Sequence, residues 1–492
     1  MSPEPVVPAL SSGWETVIGL EVHCELRTQT KLFCGCRNSF GEEPNTNVCP
    51  VCLGLPGSLP VLNRAAVEYA IRIGAALHST VQASMFHRKN YFYPDMPKDY
   101  QISQYDVPIN AGGWLTLPGG RRIGIVRAHL EEDTGKTTHV GGGGRIHEAT
   151  RSLVDYNRAG VPLVEIVSAP DMRSADEARA YVDELRAILV ATGASDGKME
   201  EGSLRVDANV SVRPAGAEAF GTRCEIKNMN SLRSLGRAVD YEVSRQIQLI
   251  ESGGVVSQET RHWDEGAGRT ASMRSKEEAY DYRYFPEPDL VPVDPPEEWV
   301  ASIKAGLPPM PSERRERIAE MSGLPAGSEA VVTVVRLGLD DLVEAVGAQS
   351  ADTKSAGGAS PAVAAIAVKR AANEVASDLA GAANLERSFF AKLVRMESSG
   401  QLTSAQARTV LKSMLEAGGD PEVIAEGLGF EAMESGGLEA IVDDVIAAHP
   451  EEWARYSEGE DKLAGFFIGH IKQATQGKAD LKSASALLRS RR

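Results

Sequence analysis

The chain has 492 residues, of which 42% are hydrophobic and 24% charged, as is usual for globular proteins. Its 52 Lys and Arg residues against 68 Asp and Glu residues give a formal net charge of −16, which excludes a generally basic nucleic-acid-binding surface but allows local basic patches. We find no apolar run long enough to span a bilayer and no signal-peptide pattern, so the sequence predicts a cytoplasmic protein with no membrane segment.

The character of the sequence changes along the chain and predicts an α+β protein of several domains. Residues 1–13 are proline-rich, and we expect them to be disordered. Residues 14–294 alternate short β-like runs with Gly/Pro turns and helices, which predicts a mainly antiparallel sheet. Residues 295–400 and 401–492 have helical periodicity, so we predict an all-helical middle domain and a helical tail domain.

Three helices of the first domain have clear signals. The first runs from Arg64 to Leu77 and carries one apolar face. Ser174 begins the second, with Glu177 three residues later, which is the pattern of a capping box. The third begins near Leu232 and stops before Gly253. Their apolar stripes predict that all three helices pack on the sheet.

Polar residues follow one face of three predicted strands, because side chains alternate faces along a strand. In residues 20–27 the polar face carries Glu21, His23, Glu25 and Arg27. Residues 204–213 and 223–227 form a predicted hairpin, whose polar face carries Arg205, Asp207, Asn209, Ser211, Arg213, Arg223, Glu225 and Lys227. Carboxylates with one imidazole suit Mg²⁺ or Mn²⁺, and the neighbouring cations suit phosphate. A solvated polar face is the alternative interpretation.

Further candidates lie between these strands. Glu131 and Glu132 are adjacent, and strand alternation places Glu131 with His129 but does not tell which glutamate faces a pocket. Glu165 lies inside an apolar run, where a carboxylate must be paired with a cation or coordinated to a metal. The aromatic, proline-braced segment 89–98 either plugs the core or presents its terminal lysines to phosphates or to the end of a tRNA.

Four of the six cysteines form a cluster of two close pairs, Cys34, Cys36, Cys49 and Cys52. Two pairs of thiolates on tight turns are typical of a tetrahedral zinc site. The first pair is separated by one residue instead of the usual two. Because four thiolates leave no open coordination position, we predict a structural Zn²⁺.

Several long segments of this sequence resemble the B-subunit family of bacterial tRNA-dependent aspartyl/glutamyl amidotransferases. The matching segments are Ile18–His23, Cys49–Gly57, Lys89–Lys98, Glu131–Lys136, Asp155–Leu163, Leu204–Asn209, Ser272–Glu278 and Asp281–Leu290. A weaker match, Gly465–Lys478, resembles the helical tail of the family. With this resemblance, we expect the first domain to be a kinase-like cradle around a cavity lined by carboxylates.

The resemblance implies a heterotrimer in which an amidase, the A subunit, releases ammonia from glutamine and a small C subunit braces the pair. The B subunit is then expected to phosphorylate the side-chain carboxylate of misacylated Asp-tRNA(Asn) or Glu-tRNA(Gln) with ATP and Mg²⁺. Ammonia that arrives through an internal channel would displace phosphate and yield Asn-tRNA or Gln-tRNA. The sequence does not indicate which of the two aminoacyl-tRNAs is the substrate.

The candidate residues fit that chemistry in four groups. The expected catalytic residues are Glu21, His23, Glu131, Glu132, Asp207 and Glu225. The expected Mg²⁺ ligands are Glu21, His23, Glu132, Asp207 and Glu225. The expected substrate and phosphate contacts are Lys89, Lys98, Asp155, Asn157, Glu165, Arg205, Arg223, Lys227, Arg274 and Lys276. In the basic segment 471–492 the expected tRNA contacts are Lys472, Lys478 and Lys482, with a frayed basic terminus as the alternative for residues 489–492.

Two other functions remain open on the sequence. One is a free-standing ATP-dependent amide ligase for a small carboxylate, although such an enzyme needs no basic tail. The other is a zinc-stabilised scaffold that presents tRNA to a partner without performing chemistry. The scaffold predicts that changes at Glu21 and Asp207 leave turnover intact and that a change at Cys49 disrupts folding.

Overall fold

A computed structural model describes residues 13–141, 149–273, 282–348, 360–430, 437–475 and 481–492. The chain forms two compact units, Met1–Pro311 and Ser312–Arg492. The first unit combines helices with strands, whereas every element of the described residues from Glu297 onward is helical. The α+β class is thus confirmed, and the predicted boundaries at residues 294 and 400 stay predictions.

The strands belong to the first unit. They are β1 Trp14–Glu25, β2 Thr80–Val81, β3 Phe86–Asn90, β4 Tyr100–Gln104, β5 Asn110–Ala111, β6 Trp114–Thr116, β7 Arg122–Glu132, β8 Lys136–Val140, β9 Arg151–Asp155, β10 Pro162–Ser168, β11 Leu204–Pro214, β12 Cys224–Lys227, β13 Thr260–Asp264, β14 Arg269–Ser272 and β15 Phe285–Pro286. Thirteen of them form one sheet, with the order β14-β13-β12-β11-β1-β10-β7-β4-β3-β15 and with β2, β5 and β6 at its side. Strands β8 and β9 form a separate hairpin.

The large sheet is antiparallel except where β12 pairs with β13 in parallel. Strand β1 lies in the middle, between β10 and β11, and from Ile18 onward its buried apolar residues alternate with partly exposed ones. The predicted hairpin of β11 and β12 is confirmed, with Asn209 opposite Glu225. The apolar faces of these strands form one core together with the helices of the first unit.

The three predicted helices are confirmed as α1 Arg64–Ala76, α2 Ala175–Ala191 and α3 Leu232–Glu251. The capping box of α2 forms only in half. Ser174 accepts a hydrogen bond from the Glu177 amide as predicted, but the Glu177 carboxylate accepts from the amide of Arg173, one residue before the cap. Both bonds still satisfy amides at the start of the helix that would otherwise lack a partner.

The remaining helices follow the sheet in the chain. They are α4 Glu297–Ala305, α5 Pro311–Ser322, α6 Glu329–Arg336, α7 Asp340–Ala348, α8 Pro361–Arg370, α9 Arg387–Ser398, α10 Ser404–Ala417, α11 Pro421–Gly427, α12 Gly437–Ala448, α13 Pro450–Ser457, α14 Ala464–Ala474 and α15 Leu481–Arg491. One hydrophobic core joins residues 318–425 and another joins residues 442–488. Among the described residues, no helix combines the length and the apolar content needed to cross a bilayer.

Candidate functional site

The polar faces of β1, β10, β7 and β11 meet at the centre of the large sheet. His23 on β1 lies opposite Glu165 on β10 and opposite Arg205 on β11. Glu165 in turn lies opposite His129 on β7. Because directly opposed residues in a sheet project to the same face, the register gathers side chains that are far apart in the sequence into one row.

A possible metal site lies in this row and consists of His23, Glu131 and Glu165. One ligand atom from each of the three residues lies within 4.8 Å of the other two. His23 Nε2 is 3.6 Å from Glu131 Oε1. Two carboxylates and one imidazole form a donor set that suits Mg²⁺ or Mn²⁺, so the residues fit the divalent cation expected from the sequence.

His129 joins the two carboxylates of this cluster, and we did not predict it as a site residue. Its Nε2 lies 3.2 Å from Glu165 Oε2 and 3.8 Å from Glu131 Oε2. Burial lowers the pKa of His129, but hydrogen bonds to the two carboxylates outweigh burial and raise it to about 9. The same contacts lower the pKa values of Glu131 and Glu165 in spite of their burial. Alternation along β7 could have identified His129, since it shares a face with Glu131.

Glu21 extends the row on the other side of His23, opposite Asp207 on β11. Its Oε1 accepts a hydrogen bond of 2.9 Å from Asn209 Nδ2. Burial and the negative charges of Glu165 and Glu225 raise the pKa of Glu21. A carboxyl whose pKa moves toward neutrality is better suited to proton transfer than an ordinary surface glutamate.

Lys227 holds the next two carboxylates together. Its Nζ lies 2.8 Å from Asp207 Oδ2 and 2.9 Å from Glu225 Oε1. The second oxygen of Glu225 accepts a hydrogen bond of 2.8 Å from Thr260. Both carboxylates therefore have partners already, and they form a paired group beside the His23 cluster instead of joining its close triad.

The structure separates the two adjacent glutamates, Glu131 and Glu132. Glu131 belongs to the cluster with His23, whereas Glu132 forms a buried ion pair with Lys98 and accepts a hydrogen bond of 2.8 Å from the Ile102 amide. Our expectation placed Glu132 among the metal ligands and Lys98 among the phosphate contacts. The geometry instead brings these two residues together, away from His23.

Arg205 forms an ion pair inside the protein with Asp133, at 3.0 Å. Asp133 is 3% exposed and also pairs with Arg158, which reaches Glu25 at 2.8 Å. Burial raises the pKa of Asp133, but the two guanidinium groups outweigh it and hold that pKa below the usual range. These two acids and two arginines balance each other in charge and support β1, β11 and the residues after β7.

The other expected substrate contacts are scattered. Lys89 places its ammonium 4.7 Å from the ring centre of Tyr282, and Arg223 is exposed just before β12.

Asp155 accepts hydrogen bonds of 3.0 Å from the Asn45 and Asn157 amides. Asn157 also accepts from the Asn47 amide at 2.9 Å and donates to the Glu43 carbonyl at 2.7 Å, so it fastens the cysteine loop. Arg274 and Lys276 lie outside the described residues.

The four clustered cysteines converge, as the predicted zinc site requires. One Sγ from each of Cys34, Cys36, Cys49 and Cys52 lies within 4.8 Å of the others. The Cys49 amide donates to Cys52 Sγ at 3.1 Å, a bond that orients this sulfur within the turn. Four convergent thiols form a donor set that suits Zn²⁺ and leaves no coordination position for a substrate.

Only part of the basic tail can be placed. Lys472 is exposed on α14, whereas Lys478 and the side chain of Lys482 lie outside the described residues. Arg491 pairs with Asp443 at 2.9 Å, and Arg492 pairs with Asp461 at 2.7 Å. These two arginines of the terminus therefore have acidic partners within the tail itself.

The family model for the GatB/GatE catalytic domain matches residues 16–301, which include the sheet, except for the first two residues of β1, and its carboxylate row. The model for the GatB domain matches residues 344–491. The chain belongs to the GatB/GatE family. The first match contains both the His23 cluster and the four cysteines, and the second contains the helical tail.

Curated members of the family resemble this chain over nearly its full length. A relative from Carboxydothermus hydrogenoformans is 47% identical over 97% of this chain and 98% of its own length. Relatives from Frankia casuarinae and Anaeromyxobacter sp. (strain Fw109-5) are 48% and 49% identical and cover 100% and 97% of this chain. These two matches cover 99% and 98% of the relatives' own lengths. All three bear the name of the B subunit of aspartyl/glutamyl-tRNA(Asn/Gln) amidotransferase.

Proposed function

We propose that this chain is the B subunit of a glutamine-dependent amidotransferase that acts on Asp-tRNA(Asn), Glu-tRNA(Gln) or both. In this proposal it phosphorylates the side-chain carboxylate of the aminoacyl group with ATP and then replaces the phosphate with ammonia. The names of the full-length relatives support the substrate class. The observation that carries the chemistry is the triad of partly buried His23, buried Glu131 and partly buried Glu165 within a longer row of carboxylates.

A carboxylate reacts poorly with ammonia, because it is anionic and its oxygen is a poor leaving group. Attack of the carboxylate oxygen on the γ-phosphorus of ATP forms an acyl phosphate and releases ADP. Ammonia then attacks the acyl carbon, inorganic phosphate leaves, and the new nitrogen loses a proton. Positioning and electrostatic stabilisation account for most of the catalysis in phosphoryl transfer.

His23, Glu131 and Glu165 would hold Mg²⁺, which supplies charge stabilisation for the triphosphate when bound. His129 supports this set by holding both carboxylates in place through its Nε2. Outer groups that orient metal ligands commonly affect metal affinity as much as a ligand does. Lys227, held between Asp207 and Glu225, is the cation that the row offers to phosphate oxygens.

Glu21 is the proposed proton acceptor for the attacking ammonia. Its carboxylate stands next to the triad, and burial together with neighbouring negative charge raises its pKa. Asn209 fixes the position of its Oε1 at 2.9 Å. The general base of an enzyme works best when its pKa approaches the pH of the reaction, and the raised pKa supports this role.

The remaining parts of the proposal concern partners. We infer an amidase, the A subunit, that releases the ammonia and a small C subunit, in a heterotrimer with an internal ammonia channel. We also infer that the first unit is a kinase-like cradle and that Lys472, Lys478 and Lys482 contact the tRNA backbone. RNA helices are recognised mainly by shape and phosphate contacts, which a small basic patch on helices can provide.

The test is release of labelled phosphate from [γ-³²P]ATP by the complex of this chain with its amidase and small partners, with Mg²⁺ and misacylated tRNA. We expect release that depends on aminoacyl-tRNA, and we expect Glu165→Gln to reduce it by a factor on the order of 100 or more. The matched control is Glu15→Gln, because Glu15 lies on β1, the strand next to that of Glu165, but near its other end, where it pairs with Arg173 and Arg213.

Three outcomes would contradict the proposal or part of it. Full phosphate release by Glu165→Gln and Glu21→Gln would exclude the carboxylate row as the reaction site. The absence of release with either aminoacyl-tRNA, while ammonia still forms from glutamine, would favour the scaffold function. The free-standing ligase would be favoured if charge reversal at Lys472 and in the rest of the basic tail left activity on tRNA unchanged.

A further inference from the structure

Lys31 is fully buried beside the four cysteines, and its environment is unusual for a lysine. Its Nζ donates a hydrogen bond of 2.9 Å to the Asn47 carbonyl and lies 3.8 Å from Cys52 Sγ. In the described part of the chain, no carboxylate comes within ion-pair distance of this ammonium. A buried ammonium is costly unless an opposite charge compensates it.

The nearby carboxylate of Glu132 does not compensate the charge of Lys31. Glu132 and Lys31 both lie close to Gly160, where an added Cβ would be 3.7 Å from Lys31 Cδ and 3.9 Å from Glu132 Oε2, but the two residues form no ion pair with each other. Glu132 already forms its own buried ion pair with Lys98. Among the described residues, the group next to the Lys31 ammonium that can carry a compensating negative charge is therefore the cysteine cluster.

Four thiolates around a bound Zn²⁺ would supply the missing negative charge. Such a centre would carry a net double negative charge, because four thiolate charges outweigh the two positive charges of the ion. Sulfurs in such centres are commonly stabilised by N–H donors from outside the ligand set. The backbone of Lys31 also contacts the cysteine cluster, since its amide donates a hydrogen bond of 2.9 Å to the Cys36 carbonyl.

We propose that Lys31 is the charge-compensating residue of the four-cysteine zinc centre and that its ammonium stabilises the bound metal through Cys52. Lys31 neutralises half of the charge of the centre and holds the cysteine loop through Asn47. The same loop is fastened to residues 155–157 through Asn47 and Asn157. The proposal concerns metal retention and does not depend on the ATP-dependent chemistry.

Zinc retention by the full-length chain tests the proposal. Metal analysis should find one zinc per wild-type chain, and a coloured chelator should then measure its release. We expect Lys31→Met, which keeps the length of the side chain but removes the charge, to release zinc about 10- to 100-fold faster. Lys31→Arg keeps the charge, so its rate of zinc release should stay within about threefold of the wild-type rate. That difference is small compared with the change expected for Lys31→Met.

The control is Lys198→Met, which removes a lysine from the same unit but from an exposed ion pair with Glu201, and which should release zinc at the wild-type rate. If Lys31→Met does not fold, Lys31→Gln replaces it, since glutamine can still donate to Asn47 without carrying charge. Wild-type zinc retention by either neutral variant overturns the proposal. The proposal also fails if the wild-type chain binds no zinc.

Discussion

The ion pairs of Asp133 offer the sharpest stability prediction. We expect Asp133→Asn to destabilise the first unit at pH 7. The asparagine keeps the size of the side chain but leaves Arg205 and Arg158 without the carboxylate that they share. It can still accept the hydrogen bond of 2.9 Å from the Thr134 amide, so the change isolates the charge.

The size of the effect follows from burial. Removing one partner of a fully buried ion pair costs about 3–5 kcal/mol, because the other charge is left uncompensated. The side chains of Arg158 and Arg205 are 28% and 39% exposed, so water compensates part of the loss. We therefore expect a loss of about 2–3 kcal/mol in the free energy of unfolding.

The dependence on pH has a definite sign. The folded-state pKa of Asp133 lies below its usual value of 3.8, so the carboxylate stabilises the protein above that pH. This contribution disappears as the pH falls through the lower, folded-state pKa. The difference between wild type and Asp133→Asn should therefore be largest near neutrality and should shrink below pH 3.8.

Urea unfolding monitored by tryptophan fluorescence measures this effect. Four of the five tryptophans lie in the first unit, so the signal reports mainly on that unit. The control is Asp176→Asn, since the Asp176 carboxylate is 83% exposed in its pair with Arg179 and should leave the midpoint unchanged. An Asp133→Asn midpoint equal to that of the control, or a loss that is the same at pH 3 and pH 7, would refute the reasoning.

Three other substitutions test a close packing contact, a buried ion pair and a helix cap. Gly74→Ala should lower the free energy of unfolding by about 1–2 kcal/mol in thermal unfolding, because the new Cβ would lie 1.8 Å from Oδ1 of the buried Asn110. A gain in stability would mean that the helix propensity of alanine outweighs this clash. Lys98→Met should cost about 3–5 kcal/mol in urea unfolding, because it leaves the buried Glu132 unpaired; a neutral result would contradict that pairing. Thr403→Ala should cost the second unit about 1 kcal/mol by amide hydrogen exchange, because it removes the capping box of α10; unchanged exchange would refute this.

Strand alternation correctly predicted which side chains of β1 share a face. It placed Glu21 and His23 together and opposite the apolar core, as the structure has them. It also paired β11 with β12 as a hairpin. These predictions succeed because the period of two along a strand depends only on backbone geometry and on which face is buried.

The site itself depended on register between strands. His129 and Glu165 are 36 positions apart in the sequence, yet they lie directly opposite each other across β7 and β10. No local pattern encodes that pairing, and for this reason the sequence left Glu131 and Glu132 as equal candidates. The register then placed Glu131 at His23 and turned Glu132 toward Lys98.

Several expected phosphate contacts illustrate the same limit. Arg205 has the right charge for a phosphate, but the fold pairs it with Asp133, and it places Asp155 and Asn157 against the cysteine loop. A sequence lists the charges without their distances, and the pairing of charges depends on distances of a few ångströms.

The amino-acid sequence by itself determined the α+β class, the faces of the strands, the positions of the main helices, the four-cysteine pattern and the resemblance to the B subunits of the amidotransferases. Each of these depends on local periodicity or on an ordered series of motifs. Only the tertiary structure decided which carboxylates meet, that His129 joins them, and that Lys31 lies buried beside Cys52. Those contacts arise from long-range strand register and loop packing, which bring together residues that no local preference connects.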